Sequence, residues 1–212
     1  MRARTSLDLA VYLVTDPVLV GGRDLVDVVA AAVAGGVGTV QLRDKQATTE
    51  QLVAQLDRLR TVVGDAALVV NDDLAAAAYA DGVHVGADDV LPTVARERLG
   101  PEAVVGWSLH DLAQLDDAEQ LAAIDYLAVS PVHATTTKPD HDPPFGLDGV
   151  RAVVDGLAAR GVDLPVIGIG GLDAGNAAEV VAAGGAGVAV VSAICAAPDP
   201  TAAAREIREA LR

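Results

Sequence analysis

A chain of 212 residues is long enough for one α/β barrel or one doubly wound domain and leaves no room for a second large core. Its 30 acidic residues against 15 Lys and Arg give a net charge of -15, which repels nucleic-acid backbones and anionic membranes alike. Aromatic residues make up only 2%, so base stacking is excluded as a main activity, and a hydrophobic share of 51% must come largely from Val, Leu, Ile and Ala.

Short runs of β-branched and aliphatic residues alternate with longer Ala-rich stretches of helical period, the rhythm of repeated βα units around a parallel sheet. In chain order the strand runs are Ala10–Thr15, Thr39–Arg43, Ala67–Asn71, Gly82–Val85, Ala103–Gly106, Tyr126–Val129, Pro165–Ile169 and Gly187–Val191. The helical stretches that follow them are Asp24–Ala34, Thr49–Val63, Asp73–Ala80, Pro92–Leu99, Leu109–Leu121, Leu147–Arg160, Ala174–Ala183 and Thr201–Leu211. Eight units in so short a chain favour a closed (β/α)8 TIM barrel over an open doubly wound sheet, with residues 1–212 as one domain. Asp8 interrupts the apolar stretch that a signal peptide would need after Arg2 and Arg4, and the lone Cys195 suits a reducing compartment. A cytoplasmic protein with a buried structural thiol is therefore expected. Val180 to Ala197 carries no charge, but Gly184, Gly185 and Gly187 divide it into a helix end, a turn and a strand, so no membrane span is expected.

Only two lysines stand beside thirteen arginines, and both close strand-end segments: Lys45 ends Val40-Gln41-Leu42-Arg43-Asp44-Lys45, and Lys138 ends Thr135-Thr136-Thr137-Lys138. Two compact ammonium groups kept at such places suit a phosphate-bearing ligand. Gln41, Arg43 and Lys45 recur with period two, so they share one face of their strand, opposite Val40 and Leu42. Polar side chains on the inner face of a barrel are costly without partners, which points to ligand contact. Asn71-Asp72-Asp73 follows the third strand and Asp88-Asp89 the fourth. One carboxylate from each loop, Asp72 and Asp89, makes the pair that a Mg²⁺ ion takes along with phosphate oxygens, while Asp73 and Asp88 read as helix caps. Gly168-Ile169-Gly170-Gly171 and Val190-Val191-Ser192 end the seventh and eighth strands, where such barrels bind phosphate through backbone N–H groups. Ser108 is placed either to donate to a phosphate oxygen or to cap the next helix. The four histidines lack metal-ligand spacing and are expected to be satisfied in the core or to face solvent. The loop Pro139 to Phe145, with three prolines, is placed to act as a lid.

Taken together and in this order, YLVTD, VQLRDK, NDD, DGVHVG with its trailing Asp, GWS, TTTK, GIGG and VVSAI resemble the thiamin phosphate synthase family over nearly the whole chain. The resemblance implies a TIM barrel that joins 4-amino-5-hydroxymethyl-2-methylpyrimidine diphosphate to a thiazole phosphate with release of pyrophosphate and Mg²⁺ as cofactor. By position, Gln41, Leu42, Arg43, Asp44, Lys45 and Asn71 correspond to the pyrimidine diphosphate site, and Asp72 and Asp89 to the metal ligands. Ser108 and Lys138 correspond to the pyrophosphate contacts, and Thr135, Thr136, Thr137, Gly171, Val191 and Ser192 to the thiazole phosphate site. Arg43, Lys45, Ser108 and Lys138 are the residues expected to carry the chemistry. The pattern departs at His133-Ala134, where the family often shows an aromatic residue followed by proline. The partners implied are these two small molecules, with no nucleic acid and no membrane, and association into a homo-oligomer is left open. A thiazole tautomerase-like isomerase and a non-catalytic barrel that binds thiamin precursors are two alternatives, and another phosphate-handling barrel enzyme such as a sugar phosphate isomerase is a third. The first depends on a histidine near Ser130-Pro131 that is missing here, and intact Asp72, Asp89 and Lys138 speak against the second.

Overall fold

The computed structural model describes residues 7–86, 89–135 and 144–212. Eight parallel strands pair in sequence order and the eighth returns to the first, closing a barrel: β1 (Val11–Val14), β2 (Thr39–Leu42), β3 (Ala67–Asn71), β4 (Gly82–Val85), β5 (Val104–Leu109), β6 (Tyr126–Val129), β7 (Val166–Ile169) and β8 (Gly187–Val190). The helices are α1 (Leu25–Ala34), α2 (Thr49–Arg60), α3 (Leu74–Ala77), α4 (Pro92–Leu99), α5 (Ala118–Ala122), α6 (Gly146–Ala159), α7 (Ala177–Ala182), α8 (Ser192–Cys195) and α9 (Pro200–Ala210). The expected (β/α)8 TIM barrel is thus the observed fold.

Alternation along each strand separates two cores. Outward residues such as Val11, Leu13, Val40 and Leu42 join the helices' apolar faces in one large cluster. Inward residues, among them Tyr12, Val14, Val69, Tyr126, Ala128, Ile167 and Ala189, fill the barrel as a smaller second cluster. Gly106 on β5 stands level with Tyr126 on β6, and a Cβ there would come within 2.1 Å of the Tyr126 ring, so the missing side chain makes room for the phenol.

Two like-built clamps tie the N-terminal ends of the strands. Asp81, just before β4, accepts from Arg60 and from the N–H of Leu68, each at 2.8 Å. Asp125, just before β6, accepts from Arg96 at 2.7 Å and from the N–H of Val105 at 2.8 Å. These charges lie at the barrel floor, opposite the mouth where strand C-termini and their loops gather.

One expected element differs. Instead of a single helix over Leu109–Leu121, β5 continues through Leu109, a 3-10 turn covers Leu112–Asp116, and α5 begins at Ala118. Asp111 caps the first piece through the Ala113 N–H and Asp117 caps the second through the Gln120 N–H, so two N-caps within seven residues divide the segment. The uncharged stretch before Ala197 resolves into the end of α7, a glycine turn, β8 and α8, and among the described residues no helix is long and apolar enough to cross a membrane. Cys195 is buried beside the Val14 carbonyl, and burial pushes its thiol up to about 11.

Candidate active site

A cavity opens at the barrel mouth, floored by inward side chains and walled by the loops that leave the strand C-termini. Most of the residues read from the sequence meet there. Gln41, Arg43, Lys45, Asn71, Asp72, Asp89, Ser108, Thr135, Val191 and Ser192 all line it. Leu42 does not: as the outward residue between Gln41 and Arg43 it is wholly buried against the helices. Asp44 does not either, because it follows the same alternation and its carboxylate accepts the Gln46 N–H in the turn before α2. Gly170 and Leu172 line the cavity on each side of Gly171, whose φ of +63° bends the chain over the mouth. Thr136, Thr137, Lys138 and the loop from Pro139 lie outside the described residues, except for its final Pro144 and Phe145, as does Asp88.

The wall contributed by β2, β3 and β4 concentrates charge. Lys45 sits 2.5 Å from Oδ2 of Asp72, which also accepts from the Asn71 amide. Asp72 is the one non-glycine residue with positive φ among those described, at +63°, a conformation Asp tolerates better than most residues and one that recurs at functional sites. Its backbone still donates to the His84 carbonyl, so the β3–β4 ladder holds the bend in place. Asp89 reaches back to accept the Gly86 N–H at 2.8 Å. Burial first, and the adjacent Asp89 second, push the Asp72 carboxyl above the ordinary range, against the pull of Lys45. Burial works on Asp89 in the same sense, but its hydrogen bonds with Asp72 and the Gly86 N–H hold it below that range. Two carboxyl groups on adjacent loops therefore repel unless a proton or a cation lies between them. Asp73 serves as the cap of α3, accepting from Ala75 and Ala76.

Ser108 does not cap a helix. It is still within β5, and its Oγ meets His84 Nε2 at 2.9 Å. His84 is buried, and desolvation lowers its pKa to about 4, so its ring is neutral near pH 7. Its Nδ1 meets the Tyr126 hydroxyl at 2.9 Å, in keeping with the expectation of a satisfied histidine. Tyr12, His84, His110 and Ser130 also line the cavity and were not singled out as site residues from the sequence. The signal that could have found Tyr12 and His84 is a polar or phenolic side chain at an inward position of a short, otherwise aliphatic strand.

A closed parallel barrel whose C-terminal mouth gathers lysine, arginine, paired carboxylates and glycine-flanked loops belongs to the class of βα-barrel enzymes. The model of one family, thiamine monophosphate synthase, matches residues 11–194. A thiamine-phosphate synthase of Albidiferax ferrireducens is 48% identical over 205 residues, covering 95% of this chain and 91% of the relative. One from Natronomonas pharaonis is 49% identical over 211 residues, covering 96% and 95%. The solved structure of a thiamine phosphate pyrophosphorylase from Pyrococcus furiosus superposes with a TM-score of 0.83 at 33% identity, over 96% of each chain. The chain belongs to the thiamine monophosphate synthase family.

Proposed function

We propose that the barrel carries out its family's thiamine-phosphate synthesis by a dissociative substitution. The bond between the pyrimidine methylene carbon and the diphosphate oxygen breaks, and its electron pair leaves on pyrophosphate. The amino-substituted pyrimidine stabilises the methylene cation, and the thiazole nitrogen donates its lone pair to form the new C–N bond. Charge balances without a protein nucleophile.

The observation that carries this reading is the convergence of Lys45, Asp72, Asp89 and Ser108, from the ends of β2 to β5, on one wall of one cavity. That wall suits a leaving group that gains charge as it departs, since preorganised donors are worth most where charge develops. Arg43 and Lys45 bring positive charge, Ser108 brings a hydroxyl, and Lys138 is assigned to the same group. Gly170, Gly171, Val191 and Ser192, after β7 and β8, serve the thiazole phosphate on the other side, so the two substrates meet across the mouth.

The paired carboxyl groups fit Mg²⁺. They offer two hard oxygen ligands on adjacent loops, the number this ion commonly takes from protein when a substrate phosphate supplies more. Burial and, after it, the neighbouring Asp89 raise the Asp72 carboxyl, and a divalent cation between the two groups relieves both. Bound there, Mg²⁺ would draw charge from the departing pyrophosphate. Lys45 holds Asp72 in the meantime.

The test is formation of thiamine phosphate and pyrophosphate from the two purified substrates, with Mg²⁺ and with EDTA. Coupling that requires both substrates and Mg²⁺ is expected. Isomerisation of the thiazole alone, or binding without turnover, would replace this reading with one of its alternatives.

A further inference from the structure

Five polar side chains from five strands form one hydrogen-bonded line through the barrel. Gln41 Nε2 donates to the Tyr12 hydroxyl at 2.8 Å, Tyr12 and Tyr126 meet hydroxyl to hydroxyl at 2.8 Å, and the line continues through His84 to Ser108. Tyr12 and Tyr126 are at most 1% exposed, Gln41 3% and His84 8%. An aliphatic floor would pack there without desolvating polar groups, so the line needs a reason. The cleared space at Gly106, on which the Tyr126 ring depends, shows that the surrounding strands accommodate it.

Proton counting gives the line a direction. The Tyr12 oxygen faces two neighbours, and one of them, the Gln41 amide nitrogen, can only donate. The Tyr12 proton therefore has one acceptor, Tyr126. Tyr126, having received, must donate onward to Nδ1 of His84. A neutral imidazole that accepts at Nδ1 carries its proton on Nε2 and donates it to Ser108 Oγ. The Ser108 oxygen is then an acceptor from below, and its own proton is left to point into the cavity. In the opposite direction the Tyr12 proton would be buried with no acceptor, and Ser108 would turn its proton to His84 and its lone pairs to the ligand.

We propose that Gln41, Tyr12, Tyr126 and His84 are positioning residues that fix Ser108 as a hydrogen-bond donor toward an anionic oxygen of the substrate. The identity of that oxygen as the departing diphosphate rests on the function proposed above; the direction of the line does not.

Two experiments test the two parts separately. In resting protein labelled with ¹⁵N-histidine, the His84 ring, assigned by its loss in His84→Gln, should show a protonated Nε2 and a bare Nδ1. A ring protonated on Nδ1 overturns the proposal whatever reaction the enzyme performs. In the coupling assay Tyr126→Phe should lower turnover at saturating substrates by about 10²-fold, the cost of losing one directed donor, with little change in the half-saturation constants. Added to Ser108→Ala, it should then cost nothing more, because both remove the same contact. Multiplying losses would show that Tyr126 does not act through Ser108. Should Tyr126→Phe fail to fold, His84→Gln and His84→Leu decide: an amide can accept from Tyr126 and donate to Ser108, so Gln should retain at least 10 times the turnover of Leu. Equal losses in the two overturn the proposal.

Discussion

The ammonium of Lys45 and the carboxylate of Asp72 meet at 2.5 Å across the mouth of the barrel, one from the end of β2 and the other from a left-handed turn after β3. The side chains are 53% and 25% exposed, so as a surface pair the contact adds little to stability. Its interest is chemical, since a cation already sits where the metal is assigned. Asp72→Ala should abolish coupling at ordinary Mg²⁺ and leave the thermal midpoint nearly unchanged. Undiminished turnover of that variant, or of the parent in EDTA, would remove the metal from the proposal.

Gly171 should tell the two substrate sites apart. A Cβ there would stand 2.8 Å from the Ala134 carbonyl and 2.9 Å from Cβ of His133, on a backbone that L side chains rarely adopt. Gly171→Ala should therefore shift the loop after β6 and raise the half-saturation constant for the thiazole phosphate by about 10-fold, or about 1.4 kcal/mol, with far less effect on the pyrimidine diphosphate. Equal weakening of both would mean the loop serves neither in particular.

Lys138 is assigned to pyrophosphate as charge develops on it. Lys138→Ala should lower turnover at saturating substrates by about 10²-fold, and Lys138→Arg should restore only part, because a planar fork is not a compact ammonium. Unchanged turnover with a raised half-saturation constant would make this lysine a binder of ground state and transition state alike.

The floor clamps should matter for stability and not for chemistry. Arg96 binds Asp125 and four nearby carbonyls, those of Gly100, Pro101, Ala103 and Ala123, and its side chain is 23% exposed. Arg96→Ala leaves a mostly buried carboxylate with one partner fewer, and denaturant titration should show a loss of about 2–4 kcal/mol with turnover of the folded fraction kept. A loss below about 0.5 kcal/mol would count the clamp as surface decoration.

His84 should tie stability to pH. Its folded pKa of about 4 lies below the ordinary 6.5, so above pH 6.5 both folded and unfolded rings are neutral and nothing changes. As pH falls from 6.5 toward 4 the unfolded chain binds a proton that the fold refuses, and stability drops by up to about 3 kcal/mol. The stability gap between the parent and His84→Gln should close by a similar amount over that window. A gap independent of pH would mean the buried ring protonates as easily as a free one.

The barrel was legible because its signal is repeated eight times: each strand is short and largely aliphatic, and most are followed within two residues by a glycine, Asp or Asn ahead of the next helix. Where repetition failed the reading failed too: between β5 and β6 two competing Asp caps cut a helix that periodicity alone would have continued. The mouth was legible through residue type, since lysine, paired Asp and double glycine at strand ends have few structural uses. Leu42 and Asp44 show the limit of treating a binding segment as a block, because alternation sends its members to opposite sides. The line beneath the mouth was not legible. Tyr12 and Tyr126 sit in runs where an inward aromatic reads as packing, and Gln41, read as a ligand contact and lining the cavity, also donates to Tyr12. Partners 29 and 114 residues apart in sequence leave no local pattern to find.

The gap at Gly106 also sets a rule for how this barrel can change. Tyr126 fits only while position 106 lacks even a methyl group, and its hydroxyl is the midpoint of the line. Alanine at 106 would evict the phenol, and Ser108, two residues further along the same strand, would lose its orientation without any change at the mouth. A silent-looking glycine two positions below a serine thus shares that serine's fate, and a lineage that fills the gap must rebuild the interior from the opposite side.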